Sequence, residues 1–216
     1  MRRFHEFVQE SGGWETRSVE VEFENAYLQI QRVKVVSPTR AEPFEWTVCH
    51  RKAGVAVAAQ TVDGGWVLIR QERVPFRAAF WEFPAGQVDE GGVHGEEAIV
   101  AAGLRELGEE AGYGLGEGGG VRMLHLYASS PGFADEHVHL IWVQGVVPLP
   151  GGRHQDPGES ILEVRVFSAE ELQKMVCEGV LRDANTLCAV ARLYAVGALR
   201  GSPRAGFAAS GDEPAF

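Results

Sequence analysis

A chain of 216 residues with 45% apolar composition is long enough for one substantial core plus a small accessory unit, which excludes a disordered or fibrous protein. The formal net charge of -10 excludes a nucleic-acid backbone or an anionic membrane as the main partner, since both call for a basic face, and leaves a small anionic ligand met by a metal and a few arginines. The cysteines, Cys49, Cys177 and Cys188, are odd in number and lack metal-ligand spacing, and no apolar run suggests a leader or a membrane span; the reading is a soluble cytoplasmic protein with buried thiols.

Residues 1–18 carry no clear period. Alternation and β-formers over residues 19–36 predict two strands joined around Glu24 and Asn25, and residues 44–50 predict a third. This N-terminal unit, taken as residues 1–45, is too small to bury a core alone and must dock on the rest of the chain or on a second copy. Residues 54–59 and 66–71 are short apolar runs around T-V-D-G-G, the pattern of a hairpin at the centre of a sheet. Next comes E-R-V-P-F-R-A-A-F-W-E-F-P-A-G, where Arg73 and Glu82 stand out. Taken alone, a surface ion pair and a strand-end hydrogen bond explain them as well as ligand contact does.

Residues 97–113, E-A-I-V-A-A-G-L-R-E-L-G-E-E-A-G-Y, predict an amphipathic helix. At about 100° per residue Val100, Leu104, Leu107 and Ala111 form the apolar stripe, and Glu106, Glu109 and Glu110 fall on the opposite side. Carboxylates three and four apart repel by a few tenths of a kcal/mol per pair, and Glu110 lies in the last turn before a glycine cap at Gly112, where the helix dipole disfavours an anion. A hard divalent cation between the carboxylates offsets both effects, and all-oxygen donors suit magnesium or manganese. A solvated helix face would explain any three glutamates taken blindly, so the flanking residues decide. Read as E-x7-R-E-U-x-E-E-x-G-U, with U a bulky apolar residue, the stretch places Glu97, Arg105, Glu106, Leu107, Glu109, Glu110, Gly112 and Tyr113 in position. A chance match to all of them is on the order of one in a million. The stretch resembles the Nudix box.

That resemblance, which covers residues 20–199, implies the Nudix fold, an α/β/α sandwich with a mixed sheet, over residues 46–200, preceded by the small N-terminal β unit. It also implies metal-dependent cleavage of a nucleoside diphosphate linked to another group. The family pattern carries a glycine six residues before its first glutamate. Gly91 has that spacing, whereas Gly86, in W-E-F-P-A-G and eleven residues before Glu97, has the expected context. Residues 87–96 therefore read as a loop lengthened by five residues, and the role of Glu97 stays open. The segment around W-E-F-P-A-G resembles that of ADP-ribose and other nucleotide-sugar pyrophosphatases, which implies substrate contact for Arg73 and Glu82 and a metal-ligating carbonyl at Ala85 beside Glu106, Glu109 and Glu110. Arg105, four residues before Glu109, is placed to orient Glu106 or Glu109.

Residues 114–120 are glycine-rich without the G-K-[ST] of a phosphate-binding loop and read as a flexible connection; residues 121–127 and 137–147 read as strands. Between them S-S-P-G-F-A-D-E resembles the loop of ADP-ribose-type members, which implies substrate contact for Ser130, Pro131 and Gly132 and a general base at Glu136 in preference to Asp135. A solvated loop carboxylate is the alternative. His125, His137 and His139 lie on strands but have no cysteine or fourth ligand near them to support zinc. Residues 160–167 form a last strand, Ser168 opens a helix with capping-box spacing to Glu171, and G-V-L-R-D-A-N-T at residues 179–186 resembles the G-x-I-x-D-x-x-T near the end of related enzymes. Residues 186–199 read as a closing helix on the sheet and residues 201–216 as a disordered tail. The resemblance implies a homodimer and ADP-ribose as first substrate, cleaved to AMP and ribose 5-phosphate. A UDP-glucose or GDP-mannose pyrophosphatase, or a non-catalytic nucleotide-sugar sensor, is the alternative.

Overall fold

Two successive antiparallel hairpins build the N-terminal sheet from β1 (Glu15–Glu24), β2 (Leu28–Ser37) and β3 (Arg40–Arg51). The computed structural model describes residues 12–88, 95–154 and 158–199. Asn25 closes the first turn, its Oδ1 accepting from the backbone N–H groups of Tyr27 and Leu28 at 2.8 and 2.9 Å. The register sets Val33 between Val19 and Trp46 and pairs Val35 with Phe44, while Arg32 lies between Glu20 and Thr47 on the next rung. Because side chains alternate across a strand, one face of this sheet is apolar and the other charged. Strand β3 runs unbroken past residue 45 into the body of the protein, where it meets the loop before β9.

The second sheet has seven strands. Its spine is β10-β5-β4-β9-β8, formed by β4 (Gly54–Thr61), β5 (Trp66–Arg73), β8 (Tyr113–Ala128), β9 (His137–Pro148) and β10 (Ile161–Phe167); β6 (Ala78–Glu82) pairs with β5 and β7 (Ala85–Gln87) with β4. Only the β4 and β9 ladder is parallel among those described, so the sheet is mixed. Along β4, Val55, Val57 and Ala59 pack with Ile99, Ala102 and Leu107 of the helix after β7, while Ala56 and Ala58 pack with Leu172, Ala189 and Leu193 of two later helices. A strand buried on both faces has to read as an unbroken apolar run, which is how residues 54–59 appear in the sequence. The helices are α1 (Glu96–Glu106), continued by a π-helical turn (Leu107–Ala111), on one face, and α2 (Ala169–Cys177) and α3 (Ala184–Ala195) on the other. The result is the predicted α/β/α sandwich with a separate three-stranded sheet ahead of it.

Four details depart from the sequence reading. Residues 114–120 are strand, not a free connection: pairing with β9 passes from Leu115 opposite Val146 to Gly120 opposite Gln144, so residues 116–119 bulge from the ladder. Glycine is required there, since a Cβ on Gly116 or Gly119 would stand 2.7 Å from a neighbouring carbonyl oxygen. The buried side of the box helix carries Ile99, Ala102, Gly103, Glu106, Leu107 and Glu110, with Val100 and Leu104 only partly covered. The closing helix begins at Ala184, two residues early, because Asp183 caps it. Of the thiols only Cys49 is buried; Cys177 is exposed and Cys188 half-buried, and all three are free. The lengthened loop lies mostly, and the C-terminal tail wholly, outside the described residues.

Gly103 sets how closely α1 approaches the sheet, because a Cβ at that position would lie 2.5 Å from Cδ1 of Ile141 and 3.2 and 3.3 Å from methyls of Val55 and Val57. Gly103→Val is expected to destabilise the fold by about 1–3 kcal/mol, the usual cost of overpacking, measured as a lower midpoint in urea with an unchanged slope.

Candidate active site

The site forms where the box helix ends against the strap that joins β6 to β7. Glu106 closes α1 and Glu110 lies in the π-helical turn, which Gly112 ends in a left-handed conformation at φ 71°. Glu106 and Glu110 continue the three- and four-residue spacing of the buried Ile99, Ala102 and Gly103, so both carboxylates lie on the side of the helix that faces the sheet. They are 6% and 1% exposed. Glu110 Oε2 accepts the backbone N–H of Ala85 at 2.8 Å. Glu106 occupies the space over Gly86, where a Cβ would fall 2.0 Å from its carboxylate carbon. Glycine at 86 is thus a condition for Glu106 to be in place.

Glu159, just before β10, brings a third carboxylate: oxygens of Glu106, Glu110 and Glu159 all lie within 4.8 Å of one another. Among the described residues this is the one group of three or more His, Cys, Asp or Glu side chains placed for a metal ion; His125, His137 and His139 do not assemble into another. Burial pushes the Glu110 carboxyl up to about 9 against the opposing Ala85 N–H, and Glu159 and Glu106 raise it further by repulsion. Burial likewise takes Glu106 up to about 7, opposed by Arg105. Desolvated carboxylates crowded together are costly as anions unless a cation joins them. Their hard oxygens, brought within 4.8 Å of one another, fit a divalent cation such as Mg2+ or Mn2+.

Arg105 braces this cluster from its edge. Its guanidinium donates to Glu106 Oε1 at 2.8 Å and to Glu109 Oε2 at 2.7 Å, and reaches the Gln87 carbonyl at 3.4 Å. Glu109 is thereby held at the rim, outside the group of three. Glu97 lies exposed in the first turn of α1, away from the buried carboxylates in the helix sequence. Arg73 at the end of β5 makes a two-pronged ion pair with Glu82, which is 3% exposed; Nε donates to Oε1 at 2.9 Å and Nη2 to Oε2. Burial raises the Glu82 carboxyl above the usual carboxylate range while the Arg73 hydrogen bond opposes it, and the same bond raises Arg73. The charge of Glu110 also raises Arg73.

The loop after β8 is fastened to β3. Cys49 donates to the Phe133 carbonyl at 3.0 Å and accepts from Asp135 N at 3.1 Å, and Trp46 Nε1 donates to the Gly132 carbonyl at 3.3 Å. Ser130, Pro131 and Gly132 are therefore carried on the N-terminal sheet. Asp135 takes the Arg51 N–H at 3.0 Å and lies 2.5 Å from His50 Nδ1. Glu136 accepts from Ser129 Oγ at 2.6 Å and pairs with Arg51 Nε at 3.1 Å. The sequence reading missed Glu159, because D-P-G-E-S carries no helical or strand period. Its only signal is an acidic residue at the mouth of a strand that returns to β5.

Residues 50–187 match the NUDIX domain. The chain belongs to the Nudix family. The ADP-ribose pyrophosphatase of Bacillus subtilis (strain 168) is 34% identical over 153 residues, 71% of this chain and 78% of that protein. The methanol dehydrogenase activator of Bacillus methanolicus is 33% identical over 153 residues with the same coverage, and the ADP-ribose pyrophosphatase of Mycobacterium tuberculosis (strain ATCC 25618 / H37Rv) is 28% identical over 185 residues, 85% of this chain and 84% of that one. The crystal structure of an ADP compounds hydrolase superposes with a TM-score of 0.70 at 16% identity, covering 88% of this chain and 96% of the other, which establishes a shared fold. This Nudix protein is a hydrolase that resembles the ADP-ribose pyrophosphatases.

Unfolded glutamates titrate near 4.5 and Glu110 in the metal-free Nudix fold at about 9, so the native state binds more protons across that window. Its contribution to stability is full below the lower value and is lost as pH rises through the upper one. In chelator, the wild-type melting temperature is expected to fall between about pH 6 and pH 9, and Glu110→Gln to flatten that decline, as followed by circular dichroism.

Proposed function

We propose that this hydrolase cleaves the pyrophosphate of a nucleoside diphosphate sugar, ADP-ribose first, to AMP and ribose 5-phosphate, using Mg2+ or Mn2+ held by Glu106, Glu110 and the Ala85 carbonyl, with Glu159 beside them. The observation that carries it is the pair of buried carboxylates joined by a third within 4.8 Å. The substrate class follows from likeness to two ADP-ribose pyrophosphatases. Bound there, a divalent cation supplies charge stabilisation at a phosphoryl oxygen and lowers the pKa of water. Arg105 fixes Glu106 and Glu109 in orientation. Arg73, 40% exposed and locked by Glu82, presents a preorganised guanidinium to the substrate's phosphates or ribose. Ser130, Pro131 and Gly132 line the sugar side.

Two carboxylates compete for the proton of the attacking water. Glu136 has the loop position that family resemblance implies, but Arg51 neutralises it and Ser129 occupies its other oxygen. Glu159 lies among the buried pair. Geometry therefore favours Glu159 as base, with Glu136 holding the loop. Glu159→Gln is expected to lower kcat about a hundred- to ten-thousandfold, and Glu136→Gln far less; the reverse ranking returns the role to Glu136. Glu110→Gln should cost at least about a hundredfold in kcat/KM, and excess chelator should stop turnover. In a screen of nucleoside diphosphate sugars with Mg2+, read as phosphatase-sensitive monoesters, ADP-ribose is expected to lead. A lead for UDP-glucose or GDP-mannose reassigns the substrate, and release from none favours a sensor.

The apolar face of the N-terminal sheet is the proposed homodimer surface. Val19 and Val21 of β1 and Trp46 of β3 are about half exposed on this face in a single copy, 49%, 51% and 50%. Contiguous apolar surface of this kind marks association. Val19→Glu combined with Val21→Glu is expected to halve the mass seen by light scattering, and a wild-type monomer at micromolar concentration would rule the dimer out.

A further inference from the structure

Thr186 lies in the first turn of α3, 0% exposed, and its hydroxyl does more than a helix cap requires. Asp183 caps the helix by accepting the Thr186 N–H at 2.7 Å, which satisfies an otherwise orphaned donor. The Thr186 hydroxyl also donates to Asp183 Oδ2 at 2.8 Å, and its oxygen accepts the backbone N–H of Phe83 at 2.9 Å. Phe83 opens the strap between β6 and β7. One residue further, the Pro84 carbonyl accepts from Val57 N at 2.8 Å, and the next N–H, that of Ala85, goes to Glu110. The strap is therefore pinned on one side by the closing helix, in the middle by the central strand, and on the other side by the buried carboxylate.

We propose that Thr186 is a positioning residue for the reaction: its hydroxyl, oriented by Asp183, fixes the strap and so sets the place of the Ala85 N–H that holds Glu110 beside Glu106 and Glu159. This rests on the reading of Glu110 as a metal ligand. It gives a task to the D-x-x-T pair at residues 183 and 186, on the face of the sheet opposite the box helix. A hydroxyl is needed because the same atom must accept from one backbone group and donate to a carboxylate, which an isosteric valine cannot do.

The test is Mn2+ binding, followed by the paramagnetic resonance of the free ion, in the full chain without substrate. Thr186→Val is expected to weaken binding about tenfold, the lower end of what loss of a supporting contact costs a metal site, and Thr186→Ser to stay within about twofold of wild type. Leu193→Ala, a fully buried core change on the same helix, is the stability control: it should lower the melting temperature and leave Mn2+ affinity unchanged. If Glu110→Gln binds Mn2+ as well as wild type, the metal reading itself fails. If Glu110→Gln loses binding while Thr186→Val retains wild-type affinity, only the positioning role fails. Should the valine variant not fold, Asp183→Ala replaces it, since it releases the hydroxyl without altering core volume; weakened Mn2+ binding supports the role and wild-type affinity overturns it.

Discussion

Everything around the site depends on keeping two carboxylates out of water. Glu106 and Glu110 are side chains that water would solvate for nothing, yet they are turned toward a sheet whose other occupants are valine, isoleucine and alanine. The fold contributes specific devices to hold them there: a missing side chain at Gly86, one backbone donor from Ala85, one guanidinium from Arg105 and a change of helical pitch between them. Arg105 faces Glu106 but is shared with Glu109, so carboxylates remain in excess. The local structure is built for a charge it does not itself contain, as expected of a metal site and not of a stabilising core.

The rest of the architecture sets distances. Strand β4 is sheathed on both faces, so it fixes α1 and α3 relative to each other through alternate side chains, while the strap from Phe83 to Gly86 touches both helices and β4 itself. Small residues recur wherever backbone must come close: Gly103 under the helix, Gly86 under the carboxylate, Gly116 and Gly119 beside the carbonyls of β9. Each is a position where one methyl group would push apart elements that must touch.

Local chemistry was legible in the sequence; phase and long-range assembly were not. The T-V-D-G-G hairpin, Asn25 turn, Ser168 capping box and glycine stop at Gly112 are set by residues within a few positions, and they stand as read. Centring the apolar stripe on Val100 and Leu104 put Glu106 and Glu110 on the opposite side, whereas the buried stripe runs through Ile99, Ala102 and Gly103 and carries both carboxylates with it, which only the packing against the sheet reveals. Glu159 was invisible for a different reason. It reaches the other two carboxylates through the return of β10 to β5, a pairing between distant segments that no window of residues contains. The glycine-rich run was misread because composition alone cannot distinguish a flexible linker from a strand that needs bare backbone to fit against its neighbour.

Strand β3 begins in the accessory sheet and ends beside the loop bearing Ser130, Pro131 and Gly132, with no linker between. A continuous strand is stiff along its length, so the accessory sheet acts as a lever whose short arm is the Cys49 to Asp135 ladder. A surface that docks on β1 is therefore joined to the loop of Ser130, Pro131 and Gly132 through continuous hydrogen-bonded strand. The carboxylate cluster, by contrast, is held by the box helix, the strap and the approach to β10, elements that β3 does not enter.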